Sequence, residues 1–236
     1  MKRFNFPADG DIAADIRDRY GFEGDLVDIY ASNTGTTVQK WHHYLPIYDR
    51  YFGRFRGTPV RFLEIGVKKG GSLQMWRRYL GEEAQIFGID IDPDCAQYDG
   101  QAGQVRIGSQ TDEVFLEGVA HEMGGIDVVL DDGSHKMRHV RKSLAALYPH
   151  LTMGGVYMIE DMHTAYFPGF GGGLDNKMNF FNAVRNLVDD MHGWYHSGRL
   201  HSKPLAGEIS GIHIHDSVVV LEKAPRQRPT QSKVGR

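Results

Sequence analysis

The sequence predicts an α/β fold: a mostly parallel sheet of seven strands, covered by helices on both faces and closed by a C-terminal antiparallel hairpin. Three observations carry this. Short apolar runs rich in Val, Ile, Leu and Phe alternate with segments of helical period between residues 60 and 160. A glycine-rich turn, Gly66-Val-Lys-Lys-Gly70-Gly71, follows the first apolar run and precedes a helical segment. The last two runs, Ile209 to His215 and Val218 to Lys223, are separated only by Asp216-Ser217, a hairpin spacing.

Taken in order, residues 1–24 are mixed and polar, with a weak helical pattern from Ile12 to Tyr20. From Val38 to Phe55, Trp41, Leu45, Tyr48, Phe52 and Phe55 recur at helical spacing, and Pro46 is expected to kink or break that helix. Val60 to Ile65 is the first strand. A helix from Ser72 to Leu80 follows, with Ser72 as its N-cap. Gln85 to Ile91 and Gln104 to Ile107 are the second and third strands. Asp112 to Glu122 is a helix, Ile126 to Leu130 a strand, Met137 to Leu151 a helix and Val156 to Glu160 a strand. Asn176 to Met191 reads as a last helix before the hairpin. The expected organisation is a helical cap over 1–56, a core over 57–224 and a disordered tail over 225–236.

Composition bounds the function. A chain of 236 residues fits one large domain, and 41% hydrophobic content is enough for a core. No apolar run approaches the roughly 18 residues a membrane helix needs. The start, Met1 to Asp9, lacks the apolar centre of a signal peptide. The single cysteine, Cys95, excludes an intrachain disulfide, and a reducing cytoplasm is the expected compartment. A net charge of −3 makes no electrostatic case for nucleic acid.

Two acid clusters stand out. Asp131-Asp132-Gly-Ser-His135 and Glu160-Asp161 each follow a buried strand. Parallel strands end at one edge, so these acids are expected together, and packed carboxylates repel unless a cation sits among them. Each cluster alone also fits a turn or a helix cap. Together they point to a hard divalent ion on Asp132, Glu160 and Asp161, with Mg²⁺ favoured by the all-oxygen donors. His135, three residues past Asp132, suits a proton acceptor. The turn Glu64-Ile-Gly66-Val-Lys-Lys-Gly70-Gly71-Ser72 lets a ligand approach the backbone, and Asp90 lies 20 residues beyond Gly70, where an acid can accept ribose hydroxyls.

The glycine pattern E-x-G-x-x-x-G resembles motif I of class I S-adenosylmethionine-dependent methyltransferases. Arg61 to Trp76, Phe87-Gly-Ile-Asp-Ile-Asp92, Leu130-Asp-Asp-Gly-Ser-His135 and Ile159-Glu-Asp-Met-His-Thr164 together resemble the metal-dependent sugar O-methyltransferases of macrolide antibiotic biosynthesis, the mycinamicin type. The fold and metal motif are also similar to those of cephalosporin hydroxylase-type proteins. The resemblance implies a Rossmann-like class I methyltransferase fold. It implies S-adenosyl-L-methionine held by Glu64, Gly66, Gly70, Ser72, Asp90, Ser109, Gln110 and Asp131, with Asp90 rather than Asp92 on the ribose. It implies Mg²⁺ on Asp132, Glu160 and Asp161, and His135 as catalytic base. The implied acceptor is a sugar hydroxyl on a glycosylated natural product or glycolipid, and the implied assembly a homo-oligomer. A catechol-type O-methyltransferase, a hydroxylase-like relative and a non-catalytic nucleoside-binding subunit are the rival readings. Relatives often carry a GTDK-like element ahead of the aromatic helix; here the stretch is Ser32-Asn-Thr-Gly-Thr-Thr37, followed by Lys40.

Four lesser features complete the reading. Pro168 to Leu174, rich in glycine, is expected to be a mobile lid. Tyr166 and Phe167 line an acceptor pocket or pack in the core. His163 shapes the site. His213 and His215 share one face of the hairpin in a packing role.

Overall fold

A computed structural model describes residues 10–198, 200–201, 205 and 207–235. The reading of Met1 to Asp9 lies outside the described residues. Seven strands form one sheet: β1 (Arg61–Ile65), β2 (Gln85–Asp90), β3 (Gln104–Ile107), β4 (Ile126–Asp131), β5 (Leu151–Ile159), β6 (Ile209–His215) and β7 (Val218–Lys223). Their order is β3-β2-β1-β4-β5-β7-β6. The first five run parallel, and β7 pairs antiparallel with both β5 and β6. The predicted sheet and its closing hairpin are therefore present.

Both faces of the central strands are covered, which explains why β1, β2, β4, β5 and β7 are mostly apolar, while the edge strands β3 and β6 alternate with polar residues. Side chains of alternate strand residues point to opposite faces. Leu63, Ile65, Phe87, Ile89, Val129, Tyr157 and Ile159 pack under α5 (Glu113–Glu122), α6 (Met137–Leu147) and α7 (Phe180–Met191). Phe62, Ile86, Val128, Leu130, Val156 and Met158 pack under α1 (Ile12–Tyr20), α2 (Asp25–Ala31), α3 (Tyr44–Phe52) and α4 (Gly71–Leu80). The second face centres on Trp76, fully buried and ringed by Tyr48, Phe52 and Phe62. Truncating such a residue to Ala costs roughly 3–5 kcal/mol.

Several element boundaries differ from the sequence reading. The aromatic helix starts at Tyr44, not Val38, and ends as a 3₁₀ turn over Gly53–Phe55. Pro46 falls in its first turn, where the missing N–H has no partner to lose, so it neither kinks nor breaks the helix. Ser72 is not an N-cap: α4 starts at Gly71 behind Gly70, which is left-handed at φ 73°. A Cβ on Gly70 would stand 2.8 Å from the Tyr98 ring, so glycine is required there. α6 stops at Leu147, because Pro149 belongs to a 3₁₀ turn, Tyr148–His150, that feeds a longer β5. Asp112 and Asn179 are N-caps of α5 and α7, each accepting from a backbone N–H of the first turn. Helix α2 had no counterpart in the sequence reading.

The run from Pro168 is tied down. Gly173 N donates to the Ala165 carbonyl (2.8 Å), Asn176 Nδ2 to Gly172 O (2.9 Å) and Asn179 Nδ2 to Gly173 O (3.1 Å). A Cβ on Gly172 would meet the Ala165 carbonyl oxygen at 2.2 Å, so that glycine serves close packing. His213 and His215 both lie against the Tyr51 ring, and Tyr51 Oη pairs with His215 Nε2 at 3.0 Å. Residues 224–235 form no helix or strand. Among the described residues, no helix is long and apolar enough to cross a membrane.

Candidate functional site

Strands β1, β4 and β5 are neighbours, and their register aligns Ile65 with Asp131 and Asp131 with Ile159. The residues that follow emerge side by side: Asp132 N donates to Ile65 O (3.0 Å) and Glu160 N to Asp131 O (3.0 Å). Gly66, at φ 102°, makes room for this. A Cβ there would stand 2.3 Å from the Asp132 carbonyl oxygen.

The acids do not form one cluster. They divide into two groups that share Asp132. On one side Lys40 Nζ donates to Asp132 Oδ2 (2.5 Å) and to both oxygens of Glu160 (3.2 and 3.0 Å), and lies 3.9 Å from Glu64 Oε1. Lys40, Glu64 and Glu160 are buried. On the other side His135 Nε2 lies 3.7 Å from Asp132 Oδ1 and 3.6 Å from Asp161 Oδ2. One ligand atom from each of Asp132, His135 and Asp161 falls within 4.8 Å of the others, and Glu160 is not part of that grouping.

Helix α3 fixes the acid pair. Tyr48 Oη donates to Glu160 Oε1 (2.5 Å), and Tyr44 Oη donates to Asp161 Oδ1 (2.8 Å) while accepting from Asp161 N (3.3 Å). The two tyrosines stand four apart, on one helix face, and reach consecutive acids. Asp161 and His135 both adopt left-handed backbone, at φ 53° and 55°. That conformation costs non-glycine residues roughly 1 kcal/mol or more, and surrounding bonds must hold it. Thr164 Oγ1 donates to both backbone carbonyls, Asp161 O at 2.6 Å and His135 O at 3.2 Å. The hairpin turn adds Ser217, whose carbonyl accepts from Met162 N (2.8 Å) and whose hydroxyl pairs with His163 Nδ1 (2.6 Å).

Electrostatics follow the division. Burial raises the Glu64 carboxyl to about 7, with Lys40 opposing. Burial, then Asp132, pushes Glu160 well above the carboxylate range. Burial works against the Lys40 charge, but Asp132, Glu160 and Glu64 outweigh it and hold the ammonium above the ordinary lysine value. Burial and the adjacent acids raise the hydroxyls of Tyr44 and Tyr48, which stay protonated donors.

The glycine turn lies beside the acids. Asp90 Oδ2 accepts from Val67 N and Lys68 N, both at 2.9 Å, and Oδ1 from Asp92 N at 3.0 Å. Burial opposes its charge, yet these backbone bonds hold its carboxyl below the ordinary value. Glu64 accepts from Ser72 Oγ (2.8 Å) and Trp76 Nε1 (3.3 Å), so Glu64 and Ser72 bind each other behind the turn. Gln110 bridges two loops, donating to Asp131 Oδ1 (3.2 Å) and accepting from Ser134 N (2.7 Å). Ser109 Oγ pairs with Thr111 Oγ1 at 2.9 Å. Asp131 turns into the opposite face of the sheet from Glu64, where Ser143 Oγ (2.5 Å) and Tyr157 Oη (3.3 Å) donate to it. Burial raises its carboxyl.

Lys40, Tyr44 and Tyr48 contact the site's acids, and the sequence reading gave none of them a role there. Tyr44 was detectable, four before Tyr48 on the helical stripe. Lys40 had a weaker signal: one cation close to an aromatic helix, far along the chain from the acids it serves.

A family model described as a methyltransferase domain matches residues 63–162. The chain is 35% identical over 219 residues to the 8-demethyl-8-(2-methoxy-alpha-L-rhamnosyl)-tetracenomycin-C 3'-O-methyltransferase of Streptomyces olivaceus, covering 88% of this chain and 56% of that protein. It is 39% identical over 194 residues to the mycinamicin VI 2''-O-methyltransferase of Micromonospora griseorubida, covering 77% and 48%. Among solved structures it is similar to the MycE methyltransferase of the mycinamycin biosynthetic pathway in complex with Mg, SAH and mycinamycin VI. That match has a TM-score of 0.73 and 33% identity, and covers 91% of this chain and 54% of that one. The chain thus spans about half the length of the curated relatives it matches.

Proposed function

The chain belongs to the class I methyltransferases as a relative of the macrolide-sugar O-methyltransferases, and from that premise we propose that it methylates a sugar hydroxyl of a glycosylated natural product, with S-adenosylmethionine as donor and Mg²⁺ in the site. The observation that carries this reading is the grouping of Asp132, His135 and Asp161 at the carboxyl edge of the sheet, beside the glycine turn. The carboxylates around this nook, Asp132, Glu160 and Asp161, are an all-oxygen donor set that suits a hard divalent ion. When bound, the donor supplies an electrophilic methyl group, and the ion lowers the pKa of a hydroxyl it holds.

The chain's own residues would do the rest. Asp132, Glu160 and Asp161 would hold the ion, Asp161 being aimed by Tyr44 and by its left-handed backbone. Glu160 carries the Lys40 ammonium and the Tyr48 hydroxyl. His135 would accept the proton of the attacking hydroxyl at Nε2, which lies 3.7 Å from Asp132 Oδ1 and 3.6 Å from Asp161 Oδ2. Asp90, its carboxylate preset by the turn's backbone N–H groups, would accept from the ribose hydroxyls through its remaining lone pairs.

The test is methyl transfer from S-adenosylmethionine to rhamnosylated and other deoxysugar polyketides. Turnover should vanish in excess chelator and return with Mg²⁺; turnover undiminished by chelator removes the metal. Asp90→Ala should weaken donor binding in calorimetry, and unchanged affinity would move the ribose contact to Asp92.

A further inference from the structure

Helix α6 leaves the carboxyl edge of the sheet directly behind His135, and it opens on cations. Lys136 is its N-cap residue, and Arg138, His139, Arg141 and Lys142 follow within its first two turns. The first turn holds no acid, and no side chain caps it. A helix dipole favours the opposite order, with acids at the amino end and cations at the carboxyl end. Arg138, Arg141 and Lys142 stand three and four apart, so they share one face. Arg141 leans toward α7, where its Nη2 donates to Asn179 O (2.9 Å) and Met178 O (3.3 Å). Lys142 leans the other way, and its Nζ donates to Thr111 O (3.4 Å), beside Ser109 and Gln110. The helical period places Arg138, which is exposed, between the two.

These charges are not matched. Among the described residues, none of Lys136, Arg138, Arg141 and Lys142 forms an ion pair. Arg141 is partly buried and its buried Nε has no partner. Burial pushes its guanidinium below the ordinary value, and no acid opposes the shift. Burial also lowers the His139 imidazole, and Lys136, Arg138 and Lys142 lower it further. A desolvated cation without a counter-charge costs stability until an anion reaches it. The chain as a whole carries −3, so this stripe is local and suits a small anion rather than a polyanion. It runs for about 8 Å along the helix from the residue after His135, a length that one glycoside bridges.

We propose that the α6 stripe reads a negative group on the acceptor, so that the substrate is an acidic glycoside carrying a phosphate or a carboxylate beside the methylated sugar. The inference rests on the reading that a sugar hydroxyl is methylated at His135, and it names the class of that sugar's bearer.

The experiment compares phenyl rhamnoside, 4-carboxyphenyl rhamnoside and rhamnose 1-phosphate as acceptors for the full chain with S-adenosylmethionine and Mg²⁺. One of the anionic acceptors should exceed phenyl rhamnoside in kcat/KM by about tenfold or more, the usual worth of a charged hydrogen bond. Which of them does so tells carboxylate from phosphate. The preference should shrink as salt is raised to about 1 M, where the Debye length is about 3 Å. It should collapse toward unity in the double variant Arg138→Gln, Lys142→Gln, whose side chains are exposed, so that folding is not at stake. Equal rates on all the acceptors, or a preference that survives in the variant, overturns the proposal and leaves the methyl-transfer reading standing. If no acceptor is methylated, that reading fails for these sugars, and calorimetry with S-adenosylhomocysteine bound decides on the stripe alone. Tighter binding of an anionic ligand, lost in the variant, supports it, and equal binding overturns it. Inorganic phosphate bound as tightly as rhamnose 1-phosphate marks an adventitious ion only, which also overturns the proposal.

Discussion

The same three strands, β1, β4 and β5, carry charge at both ends, and the two ends are built oppositely. At the amino end Asp127 is the one acid, and it is fully matched. Arg61 donates to it through Nε (2.9 Å), Nη2 (2.8 Å) and its backbone N (2.9 Å), and Thr152 Oγ1 adds a bond of 2.6 Å. Partial burial opposes the Asp127 charge, but these donors win and hold its carboxyl below the ordinary range. At the carboxyl end Glu64, Asp132 and Glu160 share a single lysine while Asp161 lies beside His135, and burial holds Glu64 and Glu160 above their ordinary values. A matched end stabilises the fold and has no capacity left for a ligand. An under-compensated end costs stability and retains an appetite for cations.

The contrast can be broken by experiment, beginning with the largest effect. His135→Ala should lower turnover by about 10²–10⁴-fold, the usual worth of a general base. The loss should shrink as pH rises and hydroxide takes over the proton. A variant as fast as the wild type would leave the ion as sole activator. Tyr44→Phe removes a bond to Asp161 from outside the nook, and metal affinity should fall about 10–100-fold with little change in melting temperature. An unchanged affinity would show that the αL backbone alone aims Asp161. Asp127→Asn should cost roughly 1.5–3 kcal/mol in denaturant unfolding while turnover per folded molecule stays the same. Equal losses in both would mean that the two ends are not separable.

The last test is a pH dependence of opposite sign at the two ends, read from urea midpoints of metal-free protein. Glu64 is raised in the folded state, from about 4.5 to about 7. Its contribution is therefore full below about 4.5 and lost as pH rises through about 7. Asp127 is depressed, so its contribution is present above its unfolded value near 3.9 and lost as pH falls through the lower folded one. Glu64→Gln should flatten the limb between about pH 4.5 and 7, and Asp127→Asn the acid limb. If Glu64→Gln altered only the acid limb, Glu64 would be an ordinary ionised carboxylate.

The parts legible in the sequence were those with local signals. An apolar run followed by acids marks a buried strand and its carboxyl end within ten residues, so Asp132, Glu160 and Asp161 were expected at one edge of the sheet, and the structure has them there. The glycine turn was legible because Gly66 and Gly70 answer steric demands of the backbone. What stayed hidden depends on long-range packing. Lys40 meets acids 92 and 120 residues away, and no periodicity encodes that. The inward turn of Asp131 follows from strand alternation, but its partners Ser143 and Tyr157 come from other elements. Helix starts were misjudged where a first turn tolerates what an interior forbids, as Pro46 shows.

The four-residue interval between Tyr44 and Tyr48 has an evolutionary consequence. It works as a vernier against the strand end, one graduation for each of two adjacent acids. A residue inserted between them would swing one hydroxyl by about 100° around the helix axis and lose its mark. Lineages descending from this chain can therefore exchange side chains along residues 44–48 but cannot lengthen or shorten the stretch, so alignments should show it free of gaps.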